Sequence, residues 1–89
     1  MAPFAGNEQQ LIHRISGIEG HVRSLKKLIG EDREPLEILM QISSIRAAME
    51  RLSHVIFEEF VEGSLQSIQS DDERATAIAN IRAALETLR

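Results

Sequence analysis

Cysteine is absent from the 89 residues, and with it go disulfides, thiolate nucleophiles and every soft metal site built on sulfur. Nothing in the chain argues for an oxidising compartment. Tryptophan and tyrosine are also absent and phenylalanine occurs three times, so the stacking platforms that grip single-stranded nucleic acid are excluded. No apolar run approaches the ~20 residues that cross a bilayer. The opening MAPFAGNEQQ lacks the charged start and apolar middle of a secretory signal, and the expected location is the cytoplasm. There is no phosphate-binding glycine loop and no serine set with a histidine and an acid in a recognised order, so the chain does not read as an enzyme.

What remains is helical. Pro35 to Leu65 contains no helix breaker between its opening proline and Gly63. Its apolar residues Ile38, Ile42, Ile45, Met49, Leu52, Ile56 and Phe60 recur at steps of three and four, the spacing of one helix face. A second set, Leu36, Leu39, Met40, Val55 and Leu65, makes the apolar surface too broad for one neighbour. Before it, Leu11, Ile15, Ile18, Val22, Leu25 and Ile29 form a heptad seam that Gly30 is expected to end. Asn7 reads as the cap of that helix, with Gln10 at the capping-box position. Gly17 and Gly20 inside it each cost about 1 kcal/mol relative to alanine, and are expected to admit another backbone or a ligand.

After a short charged loop, Pro35 suits a first helical turn, so the two helices should form an antiparallel hairpin. The sequence Ser70-Asp-Asp-Glu73 is a capping box for a third helix, whose stripe is read as Ile78, Ile81, Leu85 and Leu88. The expected architecture is all-α and a single domain over residues 1–89: a flexible arm at 1–6 and helices at about 7–29, 35–65 and 71–88. A chain this small buries only about 60% of its unfolded surface, so association with further copies is expected to cover the apolar face.

The formal charge of −4 is unevenly spread. Residues 1–34 hold five basic and five acidic groups, 35–70 two and five, and 71–89 three and four. Arg14, Arg23, Lys26 and Lys27 lie on the first helix, and Arg46 and Arg51 on the second. Basic residues without aromatics suit phosphate contacts on duplex DNA, while ordinary solvated cations remain the plain alternative. Glu58, Glu59 and Glu62 form an acidic cluster with His54 one turn before Glu58. It reads as a solvated face first and as a weak divalent-metal site second. His13 and His21 stand two turns apart and are not a chelating pair.

The element R-x-x-x-I-E-G-x-V-R-x-L at Arg14 to Leu25, the Glu-Asp loop, and L-x-Q-I-S-S-I-R-A-A at Leu39 to Ala48 agree in order and spacing with the copper- and nickel-sensing repressors of the CsoR/RcnR/FrmR type. The chain resembles that family over roughly residues 11–65. The resemblance implies antiparallel four-helix-bundle dimers paired into a flat homotetramer. It also implies a repressor that binds operator DNA without a helix-turn-helix and releases it when an effector binds. The basic positions it assigns to DNA fall on Arg14, Arg23, Lys27 and Arg46. The sensor positions it implies, counted from Gln41 and Arg46, fall on Pro35, Phe60 and Ser64. Proline and phenylalanine offer no donor atom and a lone serine hydroxyl is a poor ligand, so the effector site is expected to be altered or lost and no cofactor is expected. Two other readings stand beside the repressor: a metal-binding module using His54 and Glu58, and a helical assembly protein that does not bind DNA.

Overall fold

The computed structural model describes residue 4 and residues 6–89. The expected arm at 1–6 falls mostly outside them. Three helices make up the described chain: α1 (Glu8–Gly30), α2 (Pro35–Gln66) and α3 (Asp71–Leu88). Gly63 does not interrupt α2, which continues one turn beyond it. No strand occurs among the described residues.

The chain divides into two compact units, residues 8–52 and residues 53–89 with the segment up to Asn7. α2 contributes its first part to the one and its second part to the other. In residues 8–52, α1 and the start of α2 form an antiparallel hairpin, because Ile15, Ile18 and Val22 face Met49 and Leu52 across one groove. Leu11 and Leu52 are the buried residues here.

α1 ends at Gly30, as the sequence leads one to expect, and the turn that follows adds a detail. Gly30 is still helical, and the left-handed residue is Asp32 with φ of 55°. Arg33 N–H donates to the Leu28 carbonyl at 3.2 Å and Asp32 N–H to that of Ile29 at 3.3 Å, the paired bonds of a Schellman ending. The Arg33 guanidinium then grips Glu37 through two bonds of 3.2 and 2.7 Å, fastening the loop to the first turn of α2.

In the second unit, Ser70 caps α3: its backbone is extended and its Oγ accepts from Glu73 N–H at 3.1 Å. The reciprocal half of the capping box is redirected, since Ser70 Oγ also donates to Glu73 Oε1 at 3.3 Å. The packed face of α3 carries Ala77, Ile81 and Ala84, whereas Ile78 and Leu85 of the expected stripe are exposed. Small residues let the helix sit close, and a pattern counting only large apolar groups overlooks them.

Only Leu11, Leu52 and Ala77 are buried among the described residues, while thirteen large apolar side chains are exposed. On α2 apolar exposure falls on two sides, unequally. Ile38, Ile45, Ile56 and Phe60 are half-buried and Leu52 buried, but Leu36, Leu39, Met40 and Leu65 are 58–69% exposed. At about 100° per residue these four lie roughly opposite the first set. Ile42 and Met49 of the Ile38 to Phe60 stripe are also 40% and 48% exposed, so both sets leave apolar surface for a partner.

Candidate nucleic-acid interface and sensor positions

Arg14, Arg23, Lys26, Lys27 and Arg46 are all exposed. None of them forms an ion pair among the described residues. The pairs that exist use other arginines: Arg33 with Glu31 and Glu37, Arg74 with Asp71, and Arg89 with Glu86. A cation without a neighbouring carboxylate keeps its full charge for a phosphate. Helix geometry divides these groups, however. Arg23, Lys26 and Lys27 fall within an arc of about 100° on α1, and Arg14, nine residues before Arg23, lies roughly half a turn away. One straight basic stripe along α1 is therefore not what a single chain presents. Arg23 borders the apolar groove with Ile15, Val22 and Met49, and Arg14 sits with Gln9, Gln10 and His13 in a polar hollow. His13 and His21 are exposed.

Gly17 has no atom within 4 Å of where a Cβ would stand, and Gly20 has only the Arg23 guanidinium at 4.0 Å. Within the chain neither glycine admits a close neighbour, so any close approach involves another molecule.

The sensor positions fail a chemical test for metal. Pro35 is the exposed first residue of α2, with no donor in its side chain. Phe60 is half-buried in a cavity of about 400 Å³ whose walls include Phe4, Ile56, Phe57 and Leu88. Ser64 lies in a separate, more polar hollow with Ser67, Asp72, Glu73 and Asn80. With no thiolate and no imidazole among them, these three residues do not fit a soft or borderline metal ion. His54 and Glu58 are both exposed on α2, and no group of three histidine, aspartate or glutamate side chains converges among the described residues.

Two site features were not legible in the sequence. Asn7 does not act as a side-chain cap; its Nδ2 donates to Glu59 Oε1, and its own N–H donates to the Phe4 carbonyl at 2.9 Å. Glu59 is thereby drawn out of the acidic cluster. Phe4, read as part of an arm, lines the Phe60 cavity. Its one signal was its rarity, as one of three aromatics.

Against this geometry stand the comparisons with known proteins. The sequence pattern described as metal-sensitive transcriptional repressor matches residues 7–89, beyond the stretch of roughly 11–65 on which the resemblance was read. The copper-sensing transcriptional repressor CsoR of Bacillus subtilis (strain 168) is 35% identical over 52 residues, 58% of this chain and 52% of that protein. The match thus spans about half of that relative's length. The copper-sensing transcriptional repressor RicR of Mycobacterium tuberculosis (strain ATCC 25618 / H37Rv) is 30% identical over 77 residues, 76% of this chain and 80% of that one. Among solved structures, the nickel-responsive transcriptional regulator InrS superposes with a TM-score of 0.84 at 27% identity, covering 91% of each chain.

Proposed function

We infer the function from one premise: the chain belongs to the metal-sensitive transcriptional repressor family, whose pattern it matches over residues 7–89. Members of that family are transcriptional regulators and not enzymes. On that footing the protein is a DNA-binding repressor whose effector chemistry has departed from the copper and nickel named for its relatives. The observation that carries the DNA reading is the set of exposed, unpaired cations at Arg14, Arg23, Lys26, Lys27 and Arg46. Each phosphate neutralised by such a group releases condensed counterions, which makes binding tight at low salt and steeply salt-dependent. Their scatter around α1 supports a binding surface assembled from more than one copy.

Copies of the chain pair through the Ile38 to Phe60 stripe of α2, whose Ile42 and Met49 are exposed, and the face that bears Leu36, Leu39, Met40 and Leu65 serves the further pairing that makes four chains the working unit. Leaving those side chains in water is unfavourable by roughly 25 cal/mol for each Å², and none of the described residues covers them. Light scattering at micromolar concentration is expected to give a tetramer, and a folded monomer would contradict this. The protein acts in the cytoplasm.

No thiolate is available for Cu(I), and Phe60 puts an apolar ring at a sensor position, so copper and nickel are not expected to release the DNA. The experiment selects bound fragments from genomic DNA and titrates the best of them with protein at several salt concentrations, with and without these metals. Specific, salt-sensitive and metal-insensitive binding is the expected result. Absence of any DNA binding would favour a helical assembly protein, and metal-driven release would return the effector to His54, Glu58 and their neighbours.

A further inference from the structure

All three aromatic residues of the chain stand at one cavity. Phe4, Phe57 and Phe60 line it with Ile56 and Leu88, and no charged side chain is among its walls as the described residues form them. Its volume of about 400 Å³ falls within the roughly 300–1,000 Å³ of small-molecule pockets, which are apolar with a few placed polar groups. The polar groups here are two hydroxyls, Ser53 and Thr87. Thr87 Oγ1 donates to the Ala83 carbonyl at 2.9 Å, so its own proton is committed and its lone pairs are what it offers a ligand. An ion entering this space would lose its water and meet no counter-charge. An uncharged molecule would meet aromatic and aliphatic walls on several sides.

We propose that this cavity binds an uncharged, largely apolar molecule of one to three rings, with a hydrogen-bond donor directed at Thr87, and that such a molecule takes the place of metal as the effector. Phe60 connects the cavity to sensing, because it occupies one of the positions from which the family resemblance expects a ligand. Phe4 connects it to α1. The segment from Phe4 to Asn7 leads directly into that helix, and Asn7 is held by Glu59, the neighbour of Phe60. Entry of a ligand beside Phe4 disturbs the segment that starts α1. Only the effector role rests on the repressor reading; occupancy of the cavity does not.

The test titrates the full chain, in its native state of association, with N-phenyl-1-naphthylamine, an uncharged ring amine whose fluorescence rises in apolar surroundings. Saturable uptake at one site per chain is expected. Ala84→Leu enlarges a wall residue and is expected to weaken uptake about tenfold or more, with helix content and scattering mass unchanged. Should that variant misfold, Thr87→Val keeps the shape and removes the acceptor, weakening uptake about fivefold. Wild type that takes up no probe, or both variants binding as tightly as wild type, overturns the proposal. So does a wild type that excludes the probe while Ala84→Leu alters the mass, which assigns the space to side chains of a second copy. In a second arm the probe is added to the operator complex. Release supports the effector role, and uptake without release overturns that role while leaving the cavity a ligand site. A protein that binds the probe and no DNA fails the repressor reading alone.

Discussion

Residues 8–52 and residues 53–89 differ sharply in charge although one helix, α2, runs through both. The first stretch holds seven basic and seven acidic residues and the second three and seven, so the whole formal charge of −4 belongs to the second. Pairing sharpens the contrast. In the first stretch Arg33 alone engages two carboxylates, Glu31 and Glu37, and the cations of α1 have no ion-pair partner among the described residues. In the second, Arg74 and Arg89 are each matched to an acid three residues before them. The aromatics are segregated too, since Phe4, Phe57 and Phe60 all lie outside residues 8–52. An acidic protein can thus present cations to phosphate, because a surface potential follows the placement of charges rather than their sum.

The largest effect is expected from removing the cations of the first stretch. Arg14→Ala, Arg23→Ala, Lys27→Ala and Arg46→Ala combined should weaken operator binding about 100-fold or more at physiological salt, read by fluorescence anisotropy, with the helical spectrum intact. Arg82→Ala in the second stretch should leave binding as it was. Equal losses from both changes would erase the contrast.

Next in size is the aromatic cavity. Full burial of Phe60 would make its truncation to alanine cost ~3 to 5 kcal/mol. Phe60 is half-buried in the single chain, so Phe60→Ala should lower stability by about 2 kcal/mol in urea unfolding. A value near zero would mean the ring contributes nothing to the second unit, and a value near the upper range would mean another copy covers it.

Smaller again is Gly17→Ala. Nothing in the chain meets the added Cβ, so the substitution should raise helix stability by about 1 kcal/mol. If it also abolishes assembly or DNA binding, the glycine marks a close approach by another molecule. Asp32→Gly should give the smallest change, a gain of about 0.5 kcal/mol, because glycine takes the left-handed conformation of this turn without strain. A loss on thermal unfolding would show that the Asp32 side chain makes up for its backbone.

How far the sequence could be read follows the same division. The three helices were legible because proline at the start of α2, the Ser70 capping box and the heptad seam of α1 act locally. The helix ends of the structure, Glu8–Gly30, Pro35–Gln66 and Asp71–Leu88, stand within a residue of those expected. Gly30 does close α1, as its last helical residue, but the left-handed position of the turn falls to Asp32, which no glycine signal marks. The packed face of α3 was hidden by its alanines, which a count of large apolar residues ignores. Asn7 and Phe4 were misread for a different reason. Their partners, Glu59 and the Phe60 cavity, lie more than fifty residues away, and no spacing rule reaches that far. For the candidate interface, the sequence supplied which cations exist, but only the structure showed them exposed and unpaired.

The central claim, that residues 8–52 and not the second stretch carry the phosphate contacts, is tested most directly by the salt dependence of operator affinity. The slope of log K against log salt is measured for wild type, for Arg23→Ala with Lys27→Ala, and for Arg74→Ala with Arg82→Ala. Each lost contact reduces the magnitude of the slope by roughly 0.9, so the α1 pair should lower it by about 1.8 and the α3 pair should leave it unchanged. An unchanged slope in the α1 variant, or an equal reduction in the α3 variant, would contradict the account.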